Sequence, residues 1–383
     1  MKKVRYGIIG IGKQGSFYAS FFKDFPDFLK DSELTAVCDI SSQREEWAKE
    51  NLKGIPFYKD YHDLINSGKV DAVIIDTPHY FHPEIACFAF QKGLHVLSDK
   101  PSGVYLLQVK EMNEEAKKHP ELLFGMIFNQ RTDNLYIKAK ELIEQGKLGK
   151  LTRAVWIITD WYRPKAYYAQ GGWRGTWAGE GGGVLLNQCP HQLDLLTWFM
   201  GIPTKVYADL STVGRKINVE NDVTAMMEFP SQAKGVFITS THDAPGTNRL
   251  EITGEKGRII IEKGQLILTE NEEAEPIFSE HNTEFWGKPK NTETIFTEEE
   301  IKPPFNKDIL QHLRIIANFT EVLLDRKKKL IAPGEEGING LTLSNAIHLS
   351  GWTKKEVRLP LDDQLFLAEL KKRIEEEKTS SNK

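Results

Sequence analysis

The sequence is poor in cysteine and has no long apolar run. Only three of its 383 residues are cysteines, at Cys38, Cys87 and Cys189, and no CxxC pair occurs. This argues against a disulfide framework and a structural zinc site, and a reducing, cytoplasmic location is expected. No apolar window of about eighteen residues is present, so no transmembrane helix is predicted. The glycine-interrupted start MKKVRYGIIGIG predicts a strand rather than a signal peptide.

The sequence also lacks a dominant charge. Its 50 Lys and Arg face 54 Asp and Glu, for a formal net charge of −4. So weak and mixed a charge gives no broad cationic surface for nucleic acid or an anionic membrane. We therefore expect a small-molecule partner, with neither nucleic acid nor membrane involved, and no metal ion. The length and the 40% hydrophobic content allow two domains with their own cores.

The order of strands and helices changes along the chain. From residue 4 to about 126, short β-branched runs alternate with helical segments, which predicts an α/β domain with a doubly wound parallel sheet. Later, several strands follow one another without helices between them, which indicates an α+β domain with an antiparallel or mixed sheet. The predicted domains are 1–127 and 128–370, with 371–383 as a flexible tail and the acidic stretch 271–306 as a surface excursion.

A glycine-rich loop follows the first predicted strand. GIGKQG places Gly10, Gly12 and Gly15 between a strand and a helix, with Ile11, Lys13 and Gln14 in the same loop. Glycine permits the tight turn and the close approach of backbone to a pyrophosphate, whose charge the helix N-terminus stabilises. The loop therefore predicts binding of a dinucleotide.

An acid ends the second predicted strand. Asp39 closes LTAVCD, twenty-four residues after Gly15. At this place a carboxylate accepts hydrogen bonds from the hydroxyls of an adenosine ribose. Its charge would repel a 2′-phosphate, so NAD is favoured, although Ser41, Ser42 and Arg44 leave NADP open.

Lys100, in HVLSDKPSG, stands at the C-terminal end of a predicted strand, where open α/β sheets bind ligands. It is either a surface lysine before a turn or a group that stabilises an alkoxide as hydride leaves the carbon.

Residues 183–194, GVLLNQCPHQLD, resemble a buried amphipathic helix that carries polar side chains. One helix would place Asn187, His191 and Asp194 near one face, with a kink at Pro190. His191 is then either a hydrogen-bonded core residue or a proton-transfer group, with Asp194 orienting the imidazole. The glycines at 181–183 leave room at the start of this helix.

An aromatic loop precedes that segment. In DWYRPKAYYAQGGWRGTW, residues 160–177, flat rings could stack on a sugar while arginines bind hydroxyls, a carboxylate or a phosphate. Some of these rings are expected to belong to the core instead. The substrate-binding candidates are Trp161, Arg163, Tyr167, Trp173 and Arg174, together with Arg131 in FNQR.

Taken together, these motifs resemble the Gfo/Idh/MocA oxidoreductases. The matching segments extend over nearly the whole chain and are GIGKQG, Asp39, TPHYFHPE (77–84), GLHVLSDKP (93–101), GKLGKL (146–151), GGGVLLNQCPHQLD (181–194) and GLTLSNAIHLSGWTKKEVRLP (340–360). The resemblance implies an N-terminal Rossmann domain and a C-terminal domain with an open, predominantly antiparallel sheet. It also implies a homodimer or homotetramer formed through that sheet.

The resemblance further implies NAD(P)-linked oxidation or reduction of a sugar, cyclitol or polyol. Position by position, Lys100 matches the lysine of the family's Glu-Lys-Pro motif, and His191 matches the helix histidine that acts as general acid and base. The implied nicotinamide-side residues are Thr77, Pro78, His79, His82 and Asp99.

Three positions depart from the family pattern. Asp99 replaces the usual glutamate before Lys100, His79 stands where asparagine is frequent, and Asn187 stands where many members carry aspartate. Because asparagine cannot take a proton, Asn187 is expected to position the substrate or the imidazole. Two alternatives remain: redox-neutral, NAD-dependent glycoside cleavage, and a non-catalytic regulator that binds NAD or a sugar.

Overall fold

The chain, described here from a computed structural model over residues 3–169, 172–298 and 307–381, forms two compact units. Unit 1 comprises Met1–Thr132 and Asn306–Leu341, and unit 2 comprises Asp133–Phe305 and Thr342–Lys383. This division differs from the predicted 1–127 and 128–370 chiefly because the chain returns to unit 1 for residues 306–341.

Unit 1 contains a six-stranded parallel sheet in the order β3-β2-β1-β4-β5-β6. This order is that of a doubly wound dinucleotide-binding fold, so the predicted fold class is confirmed. Runs such as AVII are buried throughout because helices cover both faces of such a sheet. The strands are β1 (Val4–Ile9), β2 (Ser32–Cys38), β3 (Phe57–Tyr58), β4 (Ala72–Ile75), β5 (His95–Ser98) and β6 (Phe124–Met126).

The helices of unit 1 come from both parts of the chain. They are α1 (Lys13–Asp24), α2 (Ser42–Asn51), α3 (Tyr61–Ile65), α4 (His82–Gln91), α5 (Leu106–Lys117) and, from the returning segment, α10 (Lys307–Leu324). The returning helix packs on the sheet: Tyr6 Oη lies 2.8 Å from Thr320 Oγ1, and Phe319 is fully buried against Gly125. Short 3₁₀ turns cover His79–Phe81, Asn129–Thr132 and Gly334–Glu336.

Unit 2 contains a nine-stranded sheet in the order β14-β13-β12-β11-β7-β10-β9-β8-β15. All neighbours are antiparallel except β7 and β10, so the sheet is mixed but mainly antiparallel, as predicted. The acidic stretch predicted as a surface excursion contributes the edge strand β14. The strands are β7 (Leu151–Ile158), β8 (Lys205–Ser211), β9 (Asp222–Glu228), β10 (Lys234–Ser240), β11 (Asn248–Gly254), β12 (Gly257–Glu262), β13 (Gln265–Asn271), β14 (Asn291–Thr297) and β15 (Val357–Arg358).

The helices of unit 2 extend to the end of the described chain. They are α6 (Asn134–Glu144), α7 (Lys165–Tyr168), α8 (Pro190–Met200), α9 (Glu275–His281), α11 (Gly337–Thr353, which begins in the last residues of unit 1) and α12 (Asp363–Ser381). Residues 371–381, predicted as a flexible tail, continue α12. Phe366 and Leu370 are buried on one face of this helix. Glu377 accepts hydrogen bonds from the backbone N–H groups of Trp177 and Ala178. No helix in the described ranges is long and apolar enough to cross a lipid bilayer.

Candidate active site

The glycine loop of unit 1 connects β1 to α1 and contains three glycines with different surroundings. Gly10 has a φ of +89°, and a Cβ there would lie 2.2 Å from the Asp76 carbonyl oxygen. A Cβ on Gly15 would lie 1.9 Å from the Gly10 carbonyl oxygen. At Gly12, by contrast, a Cβ would meet no described atom within 4 Å. Two glycines are therefore needed to fold the loop, and the third leaves space on its outer side.

Asp39 joins the glycine loop to the end of β2. Its Oδ2 accepts the Ile11 N–H at 3.0 Å, and its Oδ1 accepts the Ser41 N–H at 2.9 Å. Each carboxylate oxygen retains a second acceptor site, which can take a ribose hydroxyl. The space over Gly12, the adjacent N-terminus of α1 with Lys13 and Gln14, and this carboxylate fit the pyrophosphate and ribose of NAD.

The segment after β4 is held by His82, at the start of α4. The His82 Nδ1 lies 2.8 Å from the Pro101 carbonyl oxygen, and its Nε2 lies 2.7 Å from the Thr77 carbonyl oxygen. Both ring nitrogens thus face backbone carbonyl oxygens, so His82 connects the loop after β4 to the loop after β5. Thr77, Pro78 and the buried His79 lie in the loop and turn that His82 holds.

A pair of acids lies at the ends of β4 and β5. The Asp76 and Asp99 side chains lie close enough to interact, and Asp76 Oδ2 lies beside Gly15. Asp99 also accepts the Lys100 N–H at 2.7 Å and the Tyr18 hydroxyl at 3.1 Å. Burial, and next the charge of Asp99, raise the pKa of Asp76 well above its ordinary value. The sequence reasoning missed Asp76, although its place directly after a buried strand was a usable signal.

We expect Asp76→Asn to stabilise the apoprotein at alkaline pH. The raised pKa means that the folded state binds more protons than the unfolded state, so stability falls as pH rises from the unfolded pKa of 3.8 toward the folded one. Asparagine mimics the protonated acid, since it carries no charge and its nitrogen can donate to Asp99. Calorimetry between about pH 5 and pH 9 should show that Tm falls less steeply with pH in the variant than in the wild type. Each kcal/mol of added stability should raise Tm by about 2–4 °C.

Asp209→Asn is the matched control, because that side chain is 72% exposed and pairs at the surface with Lys354. It should leave the slope of Tm against pH unchanged. An identical slope in Asp76→Asn and the wild type would contradict the raised pKa of Asp76 in the folded protein.

Two further candidates of unit 1 have different surroundings. Lys100 follows Asp99 at the carboxyl edge of the sheet, as the sequence predicted. Arg131 is buried, and its Nη1 lies 2.5 Å from Glu336 Oε2. This ion pair neutralises the guanidinium inside unit 1 and connects the turn after β6 to the returning segment.

In unit 2, His191 and Asn187 do not share one helix. Helix α8 begins at Pro190, and residues 183–189 form turns, because proline is favoured at the first helical position rather than within a helix. His191, 8% exposed, lies in the first turn of α8, and Asp194 lies on the same helix, fully buried. The predicted continuous helix with a kink is therefore wrong.

Asn187 lies beside a buried carboxyl group. Its Nδ2 donates to Glu180 Oε1, and the Gly175 N–H donates to Glu180 Oε2 at 2.7 Å. Burial raises the pKa of Glu180 to about 7, against the hydrogen bonds from Gly175 and Asn187 and the charge of Arg174, which lower it. The sequence analysis considered only the glycines that follow Glu180 and missed the acid itself.

The glycine turn after Glu180 is organised by a second buried acid. The Gly183 and Leu185 N–H groups donate to Glu220, whose Oε2 lies 3.1 Å from His348 Nε2. A Cβ on Gly183 would lie 1.8 Å from the Glu220 carbonyl oxygen, so glycine is required there. This network holds the backbone that leads to Asn187.

The aromatic loop forms a cluster of rings and guanidinium groups. The guanidinium carbons of Arg163 and Arg174 lie 5.0 and 5.4 Å from the centre of the Tyr167 ring. Arg163 also lies 5.5 Å from the Trp161 ring, and Arg174 lies 4.2 Å from the Trp173 ring. The Tyr167 hydroxyl lies 3.4 Å from the side-chain nitrogens of Asn187 and Gln188. The structure thus joins the five predicted aromatic-loop residues in one cluster, which reaches Asn187 through Tyr167.

Other residues of this region belong to the core, as the sequence suggested for some of them. Trp177 is buried against His348 and Trp352. Cys189 is buried, with its sulfur 2.9 Å from the Thr239 hydroxyl oxygen. In the part of the chain that the structure describes, no group of three or more His, Cys, Asp or Glu could hold a metal ion.

Comparison with known families gives matches in both units. Residues 4–126 match the Gfo/Idh/MocA oxidoreductase family with its NAD-binding Rossmann fold, and residues 136–260 match a C-terminal domain of the same family.

Individual relatives agree with these matches. Myo-inositol 2-dehydrogenase of Thermotoga maritima is 31% identical over 278 residues, which cover 70% of this chain and 79% of the relative. Levoglucosan dehydrogenase of Pseudarthrobacter phenanthrenivorans is 26% identical over 292 residues, 68% of this chain and 74% of the relative. Among solved structures, the WlbA dehydrogenase of Bordetella pertussis, in complex with NADH and UDP-GlcNAcA, superposes with a TM-score of 0.76 at 25% identity, covering 94% of this chain and 99% of that one.

Proposed function

Because this chain belongs to the Gfo/Idh/MocA oxidoreductase family, we propose that it transfers hydride between NAD and a hydroxyl or keto carbon of a sugar, cyclitol or sugar derivative. The chain is an NAD-dependent oxidoreductase by family. Relatives named for inositol and levoglucosan support the substrate class. The observation that carries the proposal is the cluster of Tyr167, Arg163 and Arg174 beside Asn187, since it combines flat rings with hydroxyl-binding groups.

The geometry of unit 1 supports the proposed cofactor roles. Gly12 and the first turn of α1 would hold the pyrophosphate, Asp39 the adenosine ribose, and Thr77, Pro78 and His79 the nicotinamide side. When bound, the nicotinamide accepts or donates the hydride. Asp99 fixes the Lys100 backbone N–H, and this helps to orient the lysine.

The remaining chemistry is acid–base and electrostatic. We assign proton transfer at the reacting hydroxyl to His191, a residue whose ordinary pKa suits this task near neutral pH. Lys100 would stabilise negative charge on the reacting oxygen, and Asn187 would orient the substrate by hydrogen bonds. The rings of Trp161, Tyr167 and Trp173 would stack on the apolar face of the sugar.

The test is reduction of NAD, and separately of NADP, by purified protein with a defined panel. The panel contains myo-inositol, levoglucosan, D-glucose, D-glucuronate and UDP-N-acetylglucosaminuronate. We expect an increase in reduced-nicotinamide absorbance with at least one sugar or cyclitol. Glycoside cleavage without net NADH would instead establish the redox-neutral reaction. NAD binding with neither product would leave a regulator and refute the proposed dehydrogenase.

Asp39 is expected to set the preference for NAD over NADP. Replacement by asparagine removes the charge that repels a 2′-phosphate. It also removes one of the two carboxylate oxygens that accept the backbone N–H groups of Ile11 and Ser41. We expect NAD binding to weaken about tenfold, or about 1.4 kcal/mol, while NADP binding is unchanged or improves. Fluorescence titration of both cofactors measures this, with Asp209→Asn as the charge-matched control. An unchanged ratio of the two Kd values would contradict this role.

Assembly and location are proposed on separate observations. Tyr207 and Met226 face each other across β8 and β9, and they are 44% and 55% exposed. Such an apolar patch on an open sheet supports a homodimer or homotetramer formed through this face. Within the described chain, none of the three cysteines forms a disulfide, which supports a reducing, cytoplasmic location.

A further inference from the structure

Glu180 and Asn187 form a buried pair with a defined direction of hydrogen bonding. Glu180 is 2% exposed, and its two oxygens accept from Asn187 Nδ2 and from the Gly175 N–H. Because an ionised carboxylate can only accept, the amide nitrogen of Asn187 must point toward it. The carbonyl oxygen, Oδ1, then points away from Glu180.

The surrounding contacts favour the same orientation. Asn187 Nδ2 also lies 3.4 Å from the Tyr167 hydroxyl oxygen. That oxygen also accepts a hydrogen bond from the Gln188 side-chain nitrogen, at the same distance. The backbone N–H of Asn187 donates to the Gly183 carbonyl at 2.9 Å, which fixes the residue at its Cα. Two oxygen acceptors therefore lie on the nitrogen side of this amide.

We propose that Glu180 is a positioning residue that holds Asn187 Oδ1 toward the substrate, so that Asn187 recognises a hydroxyl group as a hydrogen-bond acceptor. This inference rests on the proposed function, because it requires a hydroxyl-bearing substrate. It also accounts for asparagine at this position. With a buried acid behind it, an amide presents an oxygen acceptor without bringing a second carboxylate into the same enclosure.

Protonation of Glu180 would weaken this orientation. A protonated carboxyl carries a donor, which can bond to Asn187 Oδ1 if the amide rotates. Burial raises the pKa of Glu180 to about 7; among the charges facing it, Arg174 lowers this pKa and Glu220, which is 3.1 Å from His348, raises it. Tyr168 also faces Glu180. Acceptor recognition should be strongest above this pH, and KM should rise as pH falls through it.

The first variant is Glu180→Gln. Glutamine keeps the size and an oxygen for the Gly175 N–H, but it directs an NH₂ group at Asn187, as the protonated acid would direct its hydroxyl. With myo-inositol as probe, or levoglucosan if the wild type oxidises it faster, we expect KM to rise about five- to tenfold with a smaller change in kcat. KM should also lose its dependence on pH near 7.

The decisive variant is the reciprocal pair Glu180→Gln with Asn187→Asp. Here the amide introduced at position 180 donates to the new carboxylate, so position 187 again presents an acceptor oxygen. We expect the double variant to reverse most of the rise in KM seen in Glu180→Gln, which a simple packing role for Glu180 would not predict.

Glu377→Gln is the matched control. Glu377 is another buried acid of unit 2 that accepts from an asparagine side chain, Asn218 Nδ2 at 2.7 Å, and from the backbone of the same loop. Its replacement should lower Tm without altering the pH profile of KM.

The outcomes separate this inference from the proposed function. A wild type that oxidises no member of the panel refutes the function. The same double-mutant cycle, measured by thermal unfolding of the apoprotein, then tests the Glu180–Asn187 interaction by itself. A coupling free energy between positions 180 and 187 supports the interaction, and the absence of coupling overturns it. In an active enzyme, an unchanged KM profile in Glu180→Gln, or no recovery in the double variant, overturns the inference.

Discussion

Alanine at position 191 is expected to lower kcat by about 10²–10⁴-fold, the usual contribution of a positioned acid–base group. His191 lies in the first turn of α8, directly after the turns at 183–189 that contain Asn187. Removing the imidazole leaves the unit 1 loop that would bind NAD unchanged. Turnover should therefore fall while the Kd for NAD stays within about twofold of the wild type.

His242→Ala is the control for this loss. It removes a histidine of the same unit, hydrogen-bonded at 2.6 Å to Asp222, that has no assigned role in the reaction. Steady-state kinetics and NAD titration of both variants separate chemistry from cofactor binding. Wild-type turnover in His191→Ala would remove His191 from the mechanism.

Alanine at Gly12 and alanine at Gly15 should both weaken cofactor binding, for two different reasons. At Gly12 the new methyl group would meet no described atom within 4 Å, so the apoprotein should keep its Tm. It would nevertheless occupy the space through which backbone approaches the pyrophosphate, and we expect Kd for NAD to rise by roughly 100-fold, about 2.7 kcal/mol. Equilibrium titration of a protein with unchanged Tm measures this effect directly.

At Gly15 the methyl group would lie 1.9 Å from the Gly10 carbonyl oxygen, a backbone atom that cannot move without the loop. We expect Tm to fall, because overpacking against a rigid neighbour costs about 1–3 kcal/mol or more. The two alanines thus act as controls for each other. Equal losses of Tm, or tight NAD binding in either variant, would contradict the hypothesis that Gly12 makes room for the cofactor while Gly15 makes room for the loop backbone.

The cofactor side of the site could be predicted from sequence because its signals are local. Gly10, Gly12 and Gly15 follow a strand within one turn, and Asp39 ends the next strand. The direction of the His82 side chain could not be predicted in this way. Whether this imidazole faces the carbonyls of Thr77 and Pro101 depends on how two chain segments meet, and no single motif contains that information.

The substrate side was predicted less well for a related reason. Periodicity suggested one helix over 183–194, but Pro190 begins the helix and leaves Asn187 in a turn beside Glu180. Arg131 is of a residue type that often binds ligands. Its ion pair with Glu336 could not be predicted, because the two residues are 205 positions apart in the sequence. Long-range pairing of this kind is a property of the tertiary fold rather than of local pattern.

The return of residues 306–341 to unit 1 has a consequence for biosynthesis. Tyr6 finds its partner Thr320 after 314 residues, and Phe319 covers Gly125 only once α10 has been made. During translation, part of one face of the parallel sheet therefore stays uncovered while residues 133–305, most of unit 2, are synthesised. An amino-terminal fragment ending at residue 127 would remain permanently in that incomplete state, exposed to aggregation, whereas a ribosome that has passed residue 341 has supplied every helix the nucleotide-binding sheet requires.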